Sequence, residues 1–208
     1  MNKDDIEIIE KTTPFQGYFR LDHYRLRHKL FEGGWSGEMS REVFERGHAV
    51  AALLYDPHLD KLVMIEQFRI GALAALESRW FDDGFSPWLI ETMAGIIEDG
   101  EDPEDVVRRE AVEETGCSVS KLEMIHHYLA TPGGSSESVY LYCGQVDAAN
   151  ANGIHGITDE HENIKVLTVD PEEAFSWLDT GKIRNSMTLI ALYWFRFNRQ
   201  RLRRDWRA

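Results

Sequence analysis

The chain has 208 residues, 43% of them hydrophobic, with 23 basic against 36 acidic side chains and a formal net charge of −13. That length suits one medium domain, or a domain with a small appendage. The acidic balance argues against a nucleic-acid partner, whose phosphates demand basic surface, but not against a small anionic substrate, because divalent metals invert a local field. No apolar run reaches transmembrane length and the start MNKDDIEIIE is unlike a signal peptide, so no membrane association is expected. Cys117 and Cys143 share no metal-binding spacing, which points to a reduced, cytoplasmic setting.

In chain order, residues 5–11 and 17–31 read as strands, the second with long polar–apolar alternation. Residues 32–37 form a glycine-rich turn and 40–46 resume extended structure. Gly47 breaks the pattern before 48–55, an apolar run typical of a buried strand, and a turn at 57–61 leads into a strand over 62–70. The first 46 residues thus predict a small antiparallel unit, residues 1–46, ahead of the main domain at 47–208. Its edges call for a partner, and a contact between subunits is expected there. Residues 71–87 admit two readings: a lid, with Trp80 and Phe81 followed by Asp82-Asp83-Gly84, or a surface excursion with its own apolar cluster. Residues 88–93 read as a strand.

The stretch that follows carries the chemistry. Asp102 is a good N-cap, Pro103 fits the first helical position, Glu104 and Asp105 suit the positive end of the dipole, and Gly116 supplies the stop. At helical spacing Glu110, Glu113 and Glu114 share one sector with Val106 and Val107, the side that should face the core. Each like-charge pair costs roughly 0.2–0.5 kcal/mol even on an exposed helix, and an unpaired buried carboxylate costs far more. Arg109, four residues before Glu113, can orient that carboxylate but cannot neutralise all of them. The remaining charge asks for a hard cation such as Mg²⁺, with Mn²⁺ as a substitute. The competing reading, a solvated acidic helix, is set aside by the glycines and the arginine at fixed offsets.

Beyond the helix, 119–131 should be extended and end at Pro132-Gly133-Gly134-Ser135-Ser136-Glu137, a loop able to present N–H groups to an anion. A strand over 138–146, a polar loop over 147–163 of the length that usually serves function, and a strand over 164–169 follow. Asp170-Pro171 repeats the cap-plus-proline device for a helix to about Asp179, and Ser186 is expected to cap the final helix, whose basic end suits a helix C-terminus. The eight histidines form no zinc spacing, and neither a nucleophile elbow nor a Walker lysine is present.

Gly95, Glu101, Arg109, Glu110, Glu113, Glu114 and Gly116 match the Nudix box, Gly-x5-Glu-x7-Arg-Glu-U-x-Glu-Glu-x-Gly-U, with Ala111 and Cys117 as mild departures at the bulky apolar U positions. The chain is therefore identified as resembling the Nudix hydrolases. The flanking stretches REVFERGHA, MIEQFRI, ATPGGSSE, GIHGITDEHENI and GKIRNSMTLIALYW resemble the bacterial ADP-ribose pyrophosphatase branch over nearly the whole chain, with Pro132 some sixteen residues past the box as the selective mark.

The resemblance implies a mixed-sheet α/β/α sandwich preceded by a small N-terminal antiparallel sheet, in a homodimer whose N-terminal strands reach the partner's site. It implies metal ligands at the Ala94 carbonyl, Glu110, Glu114 and Glu162, a catalytic base at Glu160, and Glu113 among the catalytic carboxylates; a short match leaves Glu160 and Glu162 interchangeable. Adenine contacts fall to Tyr18 and Phe19, and ribose and diphosphate contacts to Arg41, Glu42, Arg46, Arg69, Ile96, Thr131, Pro132, Gly133 and Glu137. The implied reaction is Mg²⁺-dependent hydrolysis of ADP-ribose to AMP and ribose 5-phosphate. Two alternatives remain: a pyrophosphatase for another nucleoside diphosphate sugar such as GDP-mannose, and a noncatalytic ADP-ribose sensor. Such sensors typically lose a box glutamate, and here every box carboxylate is present.

Overall fold

The computed structural model describes residues 1–81 and 84–207, apart from the side chain of Glu160. Two compact units emerge, one comprising 1–48 and 129–138, the other 49–128 and 139–208.

In the first unit, β1 (Ile6–Gln16), β2 (Arg20–His28) and β3 (Met39–Glu45) form a three-stranded sheet in that order. Both pairings are antiparallel. The expected strand over 17–31 is shorter than its alternation suggested, because Gly17–Phe19 turns the chain and the Gly17 N–H donates to the Phe19 carbonyl at 2.8 Å. Asp22 is fully buried within this sheet and is gripped by Lys11 at 2.8 Å and Arg20 at 3.0 Å, with the Thr13 hydroxyl donating at 2.8 Å. Every residue of β1 is exposed.

The second unit holds an eight-stranded mixed sheet. Its strands are β4 (His48–Asp56), β5 (Lys61–Phe68), β6 (Trp88–Glu91), β7 (Met93–Ile97), β8 (Lys121–Leu129), β9 (Ser138–Gln145), β10 (Ile154–His155) and β11 (Ile164–Val169). The main path runs β10-β11-β5-β4-β9-β8, with β6 paired to β5 and β7 to β4. β4 lies parallel to β9 over seven residue pairs but meets β5 only at Leu54–Asp56. The two strands diverge beyond that point, and the β6–β7 segment runs in against both.

β4 is buried almost throughout, so its alternating side chains serve two layers. Val50, Ala52 and Leu54 join Val106, Val107 and Ala111 of the helix α2 (Pro103–Thr115) in one cluster. On the opposite face the Tyr55 ring lies 4.8 Å from that of Phe195, on the 21-residue helix α4 (Ser186–Trp206). The shorter helix α3 (Pro171–Asp179) adds Phe175 to the same layer. Helices on both faces of a mixed sheet make the α/β/α sandwich.

Two local readings need correction. The 62–70 strand ends at Phe68, since Arg69 is the N-cap of a short helix, α1 (Ile70–Ala75). After α1 the chain is irregular, and Phe81 and Phe85 pack at 4.5 Å, as the apolar-cluster reading expects; Asp82 and Asp83, part of the lid reading, lie outside the described residues. The last helix is capped by Asn185 instead of Ser186. The Asn185 side chain accepts from the Thr188 N–H at 2.9 Å while its amide donates to the Ile90 carbonyl at 3.1 Å, two bonds that a serine hydroxyl cannot make together at that reach. Among the described residues no helix is long and apolar enough to cross a membrane.

Candidate active site

Helix α2 forms where the sequence places it. Asp102 accepts from the Glu104 N–H at 2.9 Å, and Gly116 closes the helix in the left-handed region at φ 71°. Substituting such a cap typically costs about 1 kcal/mol. Packing Val106, Val107 and Ala111 on the sheet fixes the rotation of the helix, and that rotation carries Glu114 inside (3% exposed) and Glu110 to a half-buried position.

Their surroundings differ from what spacing alone suggests. Arg109 donates to Glu110 at 2.8 Å as well as to Glu113 at 3.1 Å, and stands 3.6 Å from Glu101. The side chain of Glu110 occupies the space that a Cβ on Gly95 would take, which is the physical reason for glycine there. Glu114 accepts from the Ala94 N–H at 3.0 Å. Burial pushes Glu110 up to about 7, against the pull of Arg109, and the negative charges of Glu113 and Glu162 add to the rise. Burial pushes Glu114 up to about 8; the Ala94 amide and the charge of Arg69 oppose this, while Glu110 and Glu162 reinforce it. Glu110, Glu114 and Glu162 thus sense one another electrostatically. Glu162 itself accepts from the Ile157 N–H at 3.0 Å.

These are desolvated carboxylate oxygens in a region short of positive charge. Their chemistry fits a hard divalent cation, which takes oxygen ligands and reverses the cost of the like charges. As they stand, no group of three such side chains converges tightly enough to grip an ion among the described residues, and Glu110 and Glu162 are instead held by Arg109 and the Ile157 amide. The side chain of Glu160, the expected base, lies outside the described residues.

Two further participants were not singled out from spacing. Glu91, nearly buried at the end of β6, receives the Arg69 guanidinium at 2.7 Å, and its carboxyl is raised by burial despite Arg69 and Gln67. A glutamate inside the apolar run WLIETM was the available signal. His155 lies against Gly116, where a Cβ would come within 2.9 Å of its ring. Nothing in the spacing of the histidines marks it. Ile96 is 40% exposed on β7.

In the first unit, Arg41, Glu42, Pro132 and Gly133, with Val43, Gly134, Ser135 and Ser136, line an open cavity of about 320 Å³. The loop is shaped by the Thr131 carbonyl, which accepts from the N–H groups of Gly134 and Ser135, and is joined to β3 where the Phe44 N–H donates to the Gly134 carbonyl at 2.8 Å. Arg46 pairs with Glu137 at 3.3 Å and stacks over the Phe19 ring. Phe19 contacts both Tyr18 and Phe44 edge-on, and Tyr18 is 85% exposed. An exposed aromatic of this kind offers a flat apolar surface with little left to lose by stacking.

A family model described as the NUDIX domain matches residues 45–189. The ADP-ribose pyrophosphatase of Escherichia coli strain K12 is 47% identical over 204 residues, covering 98% of this chain and 94% of that protein. The ADP-ribose pyrophosphatase of Haemophilus influenzae is 42% identical over 99% of this chain and 93% of its own length. The GDP-mannose pyrophosphatase of Enterobacter sp. strain 638 is 34% identical over 93% of this chain and 96% of its own. A solved structure described as that of an ADP compounds hydrolase superposes with a TM-score of 0.69 over 96% of this chain and 97% of that one, at 18% identity, a likeness of fold. The family model covers most of the chain, and Arg109, Glu110, Glu113 and Glu114 of the box sit on the helix just described. The chain belongs to the NUDIX family.

Proposed function

We propose that this protein hydrolyses the diphosphate of ADP-ribose, giving AMP and ribose 5-phosphate, with Mg²⁺ as the working metal. The observation that carries the chemistry is the pair Glu110 and Glu114, packed on the core side of α2 and raised far above an ordinary carboxyl by burial, with neighbouring glutamates adding to the rise. The substrate assignment is supported by the ADP-ribose pyrophosphatases at 47% and 42% identity, against 34% for a GDP-mannose pyrophosphatase.

In this reading Glu110, Glu114, Glu162 and the Ala94 carbonyl hold the metal. A bound divalent ion offsets the charge of the diphosphate and lowers the pKa of a water molecule. Arg109 orients Glu110 and Glu113, and Arg69, braced by Glu91, keeps a guanidinium available to a phosphate oxygen. Glu160 accepts the proton of the attacking water. The adenine face falls to Tyr18 and Phe19 in this reading, and the ribose and diphosphate contacts to Arg41, Glu42, Arg46, Ile96, Thr131, Pro132, Gly133 and Glu137. Positioning and charge dominate a phosphoryl transfer of this kind.

The same reading makes the protein a cytoplasmic homodimer. Two buried, unpaired cysteines suit a reducing compartment. The edge strand β1 is exposed along its whole length and carries Ile6, Ile8 and Phe15 at 49%, 58% and 60% exposure, an edge that a second copy would cover.

Turnover with Mg²⁺ on ADP-ribose, GDP-mannose and NADH in parallel, with products identified, is the direct test. AMP with ribose 5-phosphate and a clear preference for ADP-ribose are expected. Preference for another diphosphate moves the substrate assignment; tight binding without turnover overturns the enzymatic reading.

A further inference from the structure

The residues between the end of β9 and the start of β11 contain a construction that the reaction scheme does not use. At the C-terminal end of α2, Gly116 lies at φ 71° and presents a bare Cα on which the His155 ring rests; a Cβ there would fall 2.9 Å from the ring. One residue on, the Gly156 N–H donates to the Glu113 carbonyl at 3.2 Å, satisfying one of the carbonyls that a helix end leaves open. The His155–Gly156 step is therefore joined to the last turn of α2 by a ring contact and a backbone hydrogen bond.

The other side of the same step holds Glu162. Gly156 has φ 101°, and a Cβ on it would come within 2.6 Å of the Glu162 Cβ, so the glutamate packs against the bare glycine. The Ile157 N–H donates to Glu162 Oε2 at 3.0 Å and the Glu162 N–H donates to the Ile157 carbonyl at 3.3 Å. β10 and β11 pair through His155 with Ile164 and Ile154 with Lys165, which closes the loop behind this contact. The His155 ring is fixed in turn: its Nε2 lies 2.9 Å from the Asn152 carbonyl, and since a carbonyl only accepts, that nitrogen carries the proton.

We infer that His155 and Gly156 are positioning residues that set where Glu162 stands relative to Glu110 and Glu114. The path is short and made of packed atoms: last turn of α2, His155–Gly156, Glu162. Both glycines in it are required by left-handed backbone and by close approach, so neither contact survives an added side chain without displacement. The inference rests on the proposed role of Glu162 as a metal ligand. Outer-shell partners of that kind typically change metal affinity or activity by about 10–100-fold when removed.

The test uses the full chain and three variants, His155→Ala, His155→Gln and Gly156→Ala, with Glu162→Gln as the control. Two quantities are read: the Mg²⁺ concentration for half-maximal turnover on ADP-ribose, and amide hydrogen exchange at residues 155–157 in metal-free protein. His155→Ala is expected to raise the Mg²⁺ requirement about tenfold, to leave kcat at saturating Mg²⁺ far less affected, and to speed exchange at the Gly156 amide. His155→Gln, which keeps an N–H for the Asn152 carbonyl, should recover most of both, and Gly156→Ala should show the larger defect. If Glu162→Gln shifts the Mg²⁺ requirement while the His155 and Gly156 variants leave it and the exchange unchanged, the inference is overturned. If Glu162→Gln itself leaves the requirement unchanged, the ligand role fails, and exchange at Gly156 alone decides whether the tether exists. Should His155→Ala not fold, His155→Leu takes its place, since it fills the space without offering an N–H to the Asn152 carbonyl: no change in the Mg²⁺ requirement or exchange for a folded His155→Leu beside a fully defective Gly156→Ala removes the histidine from the path.

Discussion

Asp22 and Glu114 are both buried carboxylates, and the protein treats them in opposite ways. Asp22, in the small sheet, has Lys11, Arg20 and the Thr13 hydroxyl around it, and the Lys11 ammonium above all holds its carboxyl down to about 2. Glu114, on α2, has one backbone amide and the distant charge of Arg69, with two further glutamates nearby, and burial pushes it up to about 8. Desolvation disfavours both ions. For Asp22 the chain supplies the compensation itself; for Glu114 it does not, and that deficit supports the metal proposed there.

The largest effect that can break this comparison is on turnover. Glu114→Gln or Glu110→Gln should lower kcat by about 10²–10³-fold or more, the scale of losing one preorganised electrostatic group, while circular dichroism and the melting temperature of the metal-free protein stay close to the parent. Retained turnover in both would end the assignment of these carboxylates. Asp22→Ala should do the reverse, lowering the melting temperature because Lys11 and Arg20 lose their shared partner.

Next in size is Gly95→Ala. The added methyl falls on the Cγ, Cδ and Oε1 of the Glu110 side chain and forces it aside, so activity should fall roughly tenfold or more at little change in thermal stability. A large loss of stability would show that the strand, and not the carboxylate, is what the glycine protects.

The smallest effect separates the two carboxylates by pH. A group raised in the folded state favours folding while protonated, so the contribution of Glu110 and Glu114 is complete below the unfolded carboxyl value of about 4.3 and fades as pH rises through about 7 and 8. Asp22, lowered in the folded state, contributes above about 3.9 and its share fades as pH falls toward about 2. Melting curves in chelator should therefore decline from pH 5 to pH 8, and Mg²⁺ should restore the loss at the alkaline end. A flat profile in chelator, with no response to Mg²⁺, would remove the charge deficit on which the comparison stands.

What could be read beforehand divides along physical lines. The box helix was legible because its cap, its proline, its stop and its heptad-like burial are all local, and local chemistry is what a single sequence displays. Long-range pairings were not. That Arg109 serves Glu110 as well as Glu113 depends on a rotamer; that Glu91 braces Arg69 depends on β6 lying beside β5. Asn185 displaced Ser186 as the cap because its amide reaches the Ile90 carbonyl, ninety-five residues away in sequence. The short strand β10 was hidden in a polar loop, since two residues carry no periodicity. The inclusion of 129–138 with the N-terminal strands in one compact unit likewise has no local signature.

Helix α4 has a consequence for how the molecule is made. Phe195, Leu202 and Trp206, all buried, close one face of the large sheet, and the same helix is tied to the turn after β4 by Arg199 on Asp60 at 2.9 Å and to α3 by Arg196 on Asp179 at 2.8 Å. On the ribosome, Tyr55 is made some 140 residues before its partner ring appears, and α2 can dock on its own face of the sheet well before that. The nascent chain therefore assembles the reactive side first and carries an uncovered apolar wall until its last turns emerge, which makes the interval before residue 206 the one in which a chaperone has most to shield.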